Sequence, residues 1–472
     1  METGCPQPVL SWAKPPEGEG TLAQPGMFWL AIGRTEGQLC RPPNQFRLRS
    51  PDRVWHAAAM ATTVFQNCTL LDCTGADPSP RSTVIVEDAR ITQVARAAQP
   101  DLPRDATVID CDGRTLMPGL TDAHVHAAII ETDMTKMMKE SPATVAFRIK
   151  EVLEQTLQAG FTTVRDAFGL DWGFVQATER GYVNGPRILF TGSCMTQTGG
   201  HGDWREPYME RTPFTSLYGL VAAPRICDSP DEMRRTAREM LRMGAHGIKL
   251  MAGGGCMSPT DEIEHTQFTI EEMAAACYEA RTVGKVALAH VYTPEGIMNA
   301  VKAGVRSIEH GNFIDEEAAV CMKAAGVYFV PTLTTYFVIS AYGAAQGVPQ
   351  RMIDKINKAK EHGLESLKIA RAAGLKICSG SDVLAAMQPF KSMEFGLKAQ
   401  VLGAHAAILS ATRTNAELFG LANEIGTVEP GKLADLIVVN GNPLDDIGVL
   451  QDTANIALVM REGRVVKNVM RA

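Results

Sequence analysis

The chain has 472 residues, of which 45% are hydrophobic and 21% charged, and its formal net charge is −7. Its length predicts more than one domain, and its acidic balance argues against a nucleic-acid partner. Because no apolar run approaches the roughly 18 residues that a membrane span requires, we predict no membrane partner. The eleven cysteines include no CxxC pair, which indicates reduced thiols and a cytoplasmic location.

The two ends of the chain differ in texture from its middle. Residues 1–59 are rich in proline, glycine and arginine, and we expect a poorly ordered extension, with Met60 as an alternative natural start. Short β-branched runs follow in "TTVFQNCTLLD", "STVIVEDARITQVA" and "ATVIDCDGRTLMPGL", and the same texture returns in "ADLIVVNGNP" and "IALVMREGRVVKN". The pattern predicts one small β-sandwich built from residues 60–117 and 425–472.

Between these ends, strand and helix patterns alternate over residues 118–424. Eight strands are predicted, at 121–126, 162–167, 187–192, 247–252, 286–291, 306–310, 328–333 and 376–381. Helical patterns fall between most of them, and one begins after Ser229, a good N-cap residue. This α/β alternation favours a TIM-like (β/α)8 barrel over an open doubly wound sheet, and the active site of such a barrel lies at the strand C-termini.

Polar side chains stand at five of these predicted strand ends. They are His124, His126, Lys249, His290, His310 and Asp382. A single histidine in an apolar strand is more often a hydrogen-bonded core residue, but six such residues at equivalent positions indicate a metal site. Imidazole and carboxylate ligands suit Zn²⁺ or a similar divalent ion, and the ligands are too many for one catalytic ion with an open position. We therefore predict two metal ions.

The lysine among these residues has a special place. An amine in apolar surroundings has a lowered pKa, and its neutral form can take up CO₂ to become a carbamate that bridges two cations.

Two further residues are candidates for contacts with the substrate. Tyr292 follows His290 by two positions on the same face, and His201 lies in the glycine-rich loop after the third strand. Trp204, Tyr208 and Phe214 in the same long loop predict an apolar lid.

These motifs together resemble the amidohydrolase superfamily, and most closely its binuclear branch with a carboxylated lysine. The resemblance extends from about residue 62 to the end and includes "MPGLTDAHVH" and "GTVEPGKLADLIVVNGNPLDDI". "TQTGGHGD" and "KLMAGGGCMSP" are similar to segments of imidazolonepropionase-related hydrolases, Xaa-Pro dipeptidases and ochratoxin-degrading amidases. Carbamate, thiocarbamate and phenylurea hydrolases share the same features.

The resemblance implies a metal-dependent hydrolase of amide-like C–N bonds in a small-molecule substrate. His124, His126 and Asp382 would hold one ion of zinc, cobalt or manganese, and His290 and His310 the second. Lys249, as N6-carboxylysine, would bridge them. A hydroxide generated at the metals attacks the carbonyl, and Asp382 transfers its proton to the leaving nitrogen. The resemblance also implies a homo-oligomer.

Several functions stay open at this point. The substrate is an amide, a carbamate or thiocarbamate, a urea or a dipeptide, and a Xaa-Pro dipeptidase or an N-acyl amino acid amidase is the alternative. A deaminase is disfavoured, because related deaminases carry H-x-x-E after the fifth strand, whereas Val291, Tyr292 and Thr293 follow His290. A non-catalytic scaffold is disfavoured because all six ligand positions are intact.

Overall fold

The computed structural model describes residues 62–98, 100–210 and 220–470. The expected N-terminal extension, residues 1–59, lies outside the described residues. Within the described part of the chain, no helix is long and apolar enough to cross a membrane. The nine cysteines found there are free thiols, and eight of them are buried.

The described residues form a series of strands and helices that alternate over the central part of the chain. The strands are β1 Thr62–Leu70, β2 Ser79–Glu87, β3 Arg90–Ala95, β4 Thr107–Asp110, β5 Thr115–Pro118, β6 Leu120–Val125, β7 Phe161–Asp166, β8 Arg187–Phe190, β9 Cys194–Thr196, β10 Arg225–Ile226, β11 Gly247–Met251, β12 Val286–Val291, β13 Ser307–His310, β14 Tyr328–Val330, β15 Lys376–Ile377, β16 Leu436–Val439, β17 Ile456–Arg461 and β18 Arg464–Asn468. The helices are α1 Met134–Lys139, α2 Pro142–Gln158, α3 Trp172–Glu179, α4 Pro230–Arg242, α5 Ile270–Thr282, α6 Pro294–Ala303, α7 Glu316–Ala325, α8 Leu333–Tyr342, α9 Gln350–Ala372, α10 Met393–Leu402, α11 Ala404–Ser410 and α12 Arg413–Leu418.

One eight-stranded sheet takes strands from both ends of the chain. Its order is β18-β17-β16-β5-β1-β2-β3, and β4 pairs with β1 on the side of β5. The sheet is held together by β16, which pairs antiparallel with β5 and so joins the C-terminal strands to the N-terminal ones. Leu116, Leu436 and Leu458 belong to its buried core. The sequence boundaries of a separate sandwich domain stay a prediction.

The central part has an α/β fold of the TIM-barrel type. Its strands form two parallel sheets, β6-β7-β8 and β10-β9-β11-β12-β13-β14-β15. The eight strands expected from the sequence correspond to β6, β7, β8 and β11 to β15 and are confirmed. The sequence missed β9 and β10, two short strands in the segment after β8, because two or three residues are too few to show a period.

Local chemistry explains where the helices begin and end. Ser229 caps α4 as expected, since its hydroxyl accepts from the Glu232 backbone N–H. Thr269 and Glu272 form a capping box at the start of α5. Glycines with left-handed backbone, Gly304 and Gly326, end α6 and α7. These signals fix the length of each helix, and therefore where the next strand begins.

A buried arginine connects the two parts of the structure. Arg187 of β8 donates to an Oδ2 of Asp435 at 2.6 Å and to an Oε1 of Glu462 at 2.8 Å. Asp435 is buried beside it and also accepts from the backbone N–H of Glu462 at 2.8 Å. The central strands are thus tied to the sheet through one guanidinium and two carboxylates.

Candidate active site

The sequence-predicted site residues come together in one cavity of about 460 Å³. All eight line it: His124, His126, His201, Lys249, His290, Tyr292, His310 and Asp382. A larger cavity of about 1630 Å³ is lined by the opposite strand ends, including Arg187, Gly247 and Val286. Since none of the eight lies in the larger cavity, the smaller one is the candidate active site.

The H-x-H pair of β6 converges on Asp382. The Nε2 atoms of His126 and His124 lie 3.1 and 3.6 Å from an Asp382 oxygen. The Nδ1 atom of each ring contacts a different partner. His126 Nδ1 lies 2.9 Å from Phe168 O, and His124 Nδ1 lies 2.8 Å from the Glu309 carboxylate. Both rings are therefore oriented by a partner behind them, and both point Nε2 into the cavity.

The other two histidines complete the ring cluster. His310 at the end of β13 lies 5.0 Å from His124 and 4.4 Å from His290 between ring centroids. Its Nδ1 lies 2.8 Å from Thr332 Oγ1, and the Nε2 of His290 lies 3.0 Å from Gly254 O. Burial is the main reason why the pKa of each of these rings is lowered, that of His310 to about 3. Both rings are therefore neutral near pH 7 and able to act as ligands.

Lys249 is buried in the middle of β11, with its Nζ 3.5 Å from His124 Nε2. Burial lowers the pKa of its amine to about 8, although the carboxylates of Glu309 and Asp382 oppose this shift. At pH 7 roughly a tenth of such an amine is neutral, which is the form that reacts with CO₂. The structure places Lys249 among the histidines, and its carboxylation stays a prediction of the sequence.

Asp382 faces the histidines from the segment after β15. Burial alone raises the pKa of its carboxyl, but His124, His126 and His310 outweigh this and hold the pKa below its usual range. The residue has a left-handed backbone with φ of 54°, as does His310 with φ of 74°. Such a conformation is unfavourable for residues other than glycine and is common at functional sites.

Tyr292 and Tyr336 form a linked pair beside the histidines. The Tyr336 hydroxyl donates to that of Tyr292 at 3.1 Å, and Cys256 Sγ lies 3.3 Å from the same oxygen. Burial raises the pKa of Tyr292 well above its ordinary value, so the phenol is protonated at neutral pH. It is therefore able to donate a hydrogen bond to a group in the cavity.

His201 reaches the cavity from the loop after β9. Its ring stacks on His290, with centroids 4.3 Å apart, and its Nδ1 lies 2.8 Å from Ser258 Oγ. Burial lowers the pKa of His201 to about 4, so the ring is neutral. The next polar residue in the loop, Asp203, is paired with Arg205 at 2.6 Å and stabilises the loop itself.

The remaining walls of the cavity are mainly apolar. They include Ile129, Phe168, Trp204, Ile339 and five methionines, Met134, Met138, Met251, Met257 and Met352. Of the lid residues expected from the sequence, Trp204 lines the cavity, whereas Tyr208 is exposed. Phe214 lies outside the described residues. Methionine side chains adapt to different ligand shapes, so these walls suit a bulky apolar group.

Sequence reasoning missed two buried charged residues beneath the cavity, Glu309 and Arg165. Glu309 contacts His124, and Arg165 of β7 donates to Glu309 at 2.7 Å. Glu309 precedes His310 directly, and strict alternation along a strand would place neighbouring side chains on opposite faces. The side chains of Glu309 and His310 nevertheless reach the same cluster, because the backbone of His310 is left-handed and not extended. The signal in the sequence was a charged residue, Glu309, directly before the strand-end histidine in "SIEHG".

The residues present fit a divalent metal centre. Ligand atoms of His124, His310 and Asp382 all lie within 4.8 Å of one another. His290, with Nε2 on Gly254 O, leaves Nδ1 for a ligand bond. Buried neutral imidazoles that converge with a carboxylate and an amine form the mixed nitrogen and oxygen set that zinc, cobalt and manganese accept.

Comparison with known proteins gives consistent results. Residues 115–466 match the sequence model of the amidohydrolase family. Ochratoxinase of Aspergillus niger is 30% identical over 407 residues, which cover 83% of this chain and 84% of that protein. A prolidase solved with N-methylphosphonate-L-proline is 39% identical, with a TM-score of 0.83, over 86% of this chain and 100% of that one. A Xaa-Pro dipeptidase solved with bound methionine is 29% identical, with a TM-score of 0.78, over 86% of this chain and 100% of that one.

The family match spans the β/α part of the chain and, of the sheet that flanks it, β5, β16, β17 and the first residues of β18. Together with the hydrolase relatives, it confirms the sequence prediction of an enzyme that hydrolyses carbon–nitrogen bonds. The chain therefore belongs to the amidohydrolase family.

Proposed function

We propose that the enzyme is a binuclear metal-dependent amidohydrolase that cleaves an amide-type C–N bond next to a bulky apolar group. One observation carries this proposal, the convergence of four buried imidazoles, Asp382 and a buried lysine amine in one cavity. His124, His126 and Asp382 would hold one ion and His290 and His310 the other. Lys249, as N6-carboxylysine, would bridge them.

Two divalent cations, when bound here, supply a hydroxide nucleophile at neutral pH and polarise the scissile carbonyl. The protein contributes the proton transfers and the orientation. Asp382 is ionised because its neighbours hold its pKa low, so its carboxylate accepts the proton of the nucleophile and passes it to the leaving nitrogen. The Tyr292 hydroxyl donates to the carbonyl oxygen as negative charge develops there.

The apolar walls support the choice of substrate class. Among the described residues that line the cavity, Lys249 is the single lysine or arginine, so a substrate lies mainly against methionine and aromatic side chains. His201, Tyr336, Asp133 and Glu206 are further polar side chains on the cavity wall that could contact a substrate. The prolidase relative binds an analogue of an N-acylated proline, which favours an N-acyl amino acid or a Xaa-Pro dipeptide with an apolar acyl residue.

We also propose that the two parallel sheets form one closed barrel. Backbone hydrogen bonds support closure on both sides: Ala123 N–H donates to Ser379 O at 2.7 Å, and His246 N–H to Phe190 O at 2.8 Å. Zinc, cobalt or manganese as the native metal, a homo-oligomeric assembly and a cytoplasmic location stay predictions of the sequence.

A hydrolysis screen tests the proposed function. The full chain, loaded with zinc, cobalt or manganese, is assayed on N-acyl amino acids, Xaa-Pro dipeptides, phenylureas and thiocarbamates. We expect metal-dependent release of an amine, fastest for substrates with a bulky apolar acyl or aryl group. Turnover that is equal in the chelator-treated protein, or the absence of bound metal after loading, would contradict the proposal.

A further inference from the structure

His124 differs from the other three histidines in the partner behind its ring. Its Nδ1 lies 2.8 Å from the Glu309 carboxylate. The hydrogen-bond partners of the His126, His290 and His310 rings are uncharged oxygens, Phe168 O, Gly254 O and Thr332 Oγ1, although the Asp382 carboxylate also lies 3.8 Å from His310 Nδ1 on the cavity side. A carboxylate behind an imidazole fixes its tautomer and makes the far nitrogen a stronger electron donor. Only this histidine among the four has that support.

Glu309 is held in place by a second buried charge. Its side chain is fully buried, and a carboxylate without a partner is very costly in such a position. Arg165 compensates, since its Nη2 donates to Glu309 Oε1 at 2.7 Å. The same guanidinium is anchored by Nε on Ala123 O at 2.6 Å and by Nη1 on Ser307 Oγ at 3.1 Å.

The anchor on Ala123 brings the chain of contacts back to the ligand. Ala123 directly precedes His124 on β6, so one guanidinium holds both the backbone of that strand and the carboxylate behind the ring. The two carboxylate oxygens of Glu309 have different partners: Oε1 accepts from Arg165 and from Ser307 Oγ, and Oε2 contacts His124 Nδ1. The carboxylate therefore has one position in which both contacts are made, and that position aims His124 Nε2 into the cavity.

We propose that Glu309 and Arg165 are positioning residues that set the metal affinity of the ion held by His124. The inference rests on the proposed metal centre, and it concerns one of its two ions. Loss of the carboxylate removes the orientation and the electron donation at His124 but leaves intact the hydrogen-bond partners of His126, His290 and His310. A change at Glu309 is therefore expected to weaken the binding of one ion more than that of the other.

The test compares metal binding of the full chain with that of three variants, by equilibrium dialysis against buffered zinc and metal analysis. For Glu309→Gln we expect one of the two ions to bind about 10- to 100-fold more weakly, the usual cost of losing such a partner. Thr332→Val is the matched control, because it removes the uncharged partner of His310 at 2.8 Å. We expect this control to leave the ion held by His124 unchanged.

A double variant separates the effect of Glu309 on metal affinity from a purely structural role of this residue. Glu309→Gln alone leaves Arg165 buried without its carboxylate, so Arg165→Met combined with Glu309→Gln removes both charges. Because the double variant removes the unpaired charge but also the anchor on Ala123 O, we expect its metal-free form to unfold at a higher temperature than that of Glu309→Gln alone, with one ion bound as weakly as in the single variant. Wild-type affinity for both ions in either Glu309 variant would overturn the inference and leave the proposed function standing. A wild-type protein that binds no zinc would instead overturn the proposed function.

Discussion

Replacement of Tyr292 by phenylalanine is the sharpest test of how the chain itself assists the reaction. Tyr336 donates to the Tyr292 oxygen at 3.1 Å, so the Tyr292 proton has two directions to point, toward Cys256 Sγ at 3.3 Å or into the cavity, where a substrate carbonyl oxygen is the stronger acceptor. The phenol is 2% exposed, so its donor acts where water competes little. Removal of one such donor to a developing oxyanion costs about 10²- to 10³-fold in kcat, or roughly 3–4 kcal/mol.

Tyr336→Phe provides the matched control. It removes a hydroxyl that donates to the Tyr292 oxygen but leaves the Tyr292 hydroxyl in place, so we expect a smaller loss in kcat than for Tyr292→Phe. Steady-state kinetics on the best substrate of the screen, with metal content measured on the same samples, gives both values. Equal losses in the two variants would refute the reasoning, as would a Tyr292→Phe enzyme whose KM rises while its kcat is unchanged.

Three further outcomes follow from other buried groups. Lys249→Ala should reduce bound zinc below two ions per chain and abolish turnover, and full activity in this variant would disprove the bridging role. Arg187→Met leaves the Asp435 carboxylate buried without its cation at 2.6 Å, so urea unfolding should show a loss of about 3–5 kcal/mol, with metal content unchanged in the folded protein. Burial and nearby Lys285 lower the pKa of His246 to about 4, so the unfolded chain binds a proton first as the pH falls below about 6.5. Stability should drop by up to about 3 kcal/mol between pH 6.5 and 4, and His246→Gln should drop less over this window if the reasoning holds.

The candidate site positions were predictable because most of them lie within or just after a strand with a clear period, although Lys249 stands in the middle of β11 and not at its end as expected. His124, Lys249 and His290 occupy inward positions of β6, β11 and β12, and alternation alone places them there. Glu309 was not predictable in the same way, since its neighbour His310 also faces the cluster. Its partner Arg165 lies on a different strand, and such a contact depends on register across the sheet rather than on any local pattern.

The left-handed backbone at the strand ends explains why side chains do not alternate strictly between the two faces of the strands there. His310, Thr332 and Asp382 all have positive φ values, between 47° and 74°, and each such residue costs of order 1–3 kcal/mol. The contacts that hold them link neighbouring strands: His310 Nδ1 to Thr332 Oγ1 at 2.8 Å, and the Asp382 N–H to His124 O at 2.8 Å. Because the chain turns at His310, the Glu309 side chain contacts His124 of another strand while the His310 ring itself lines the cavity. In an extended strand the adjacent side chains of Glu309 and His310 would point to opposite faces. The strained backbone at His310 is therefore what brings both side chains to one cluster.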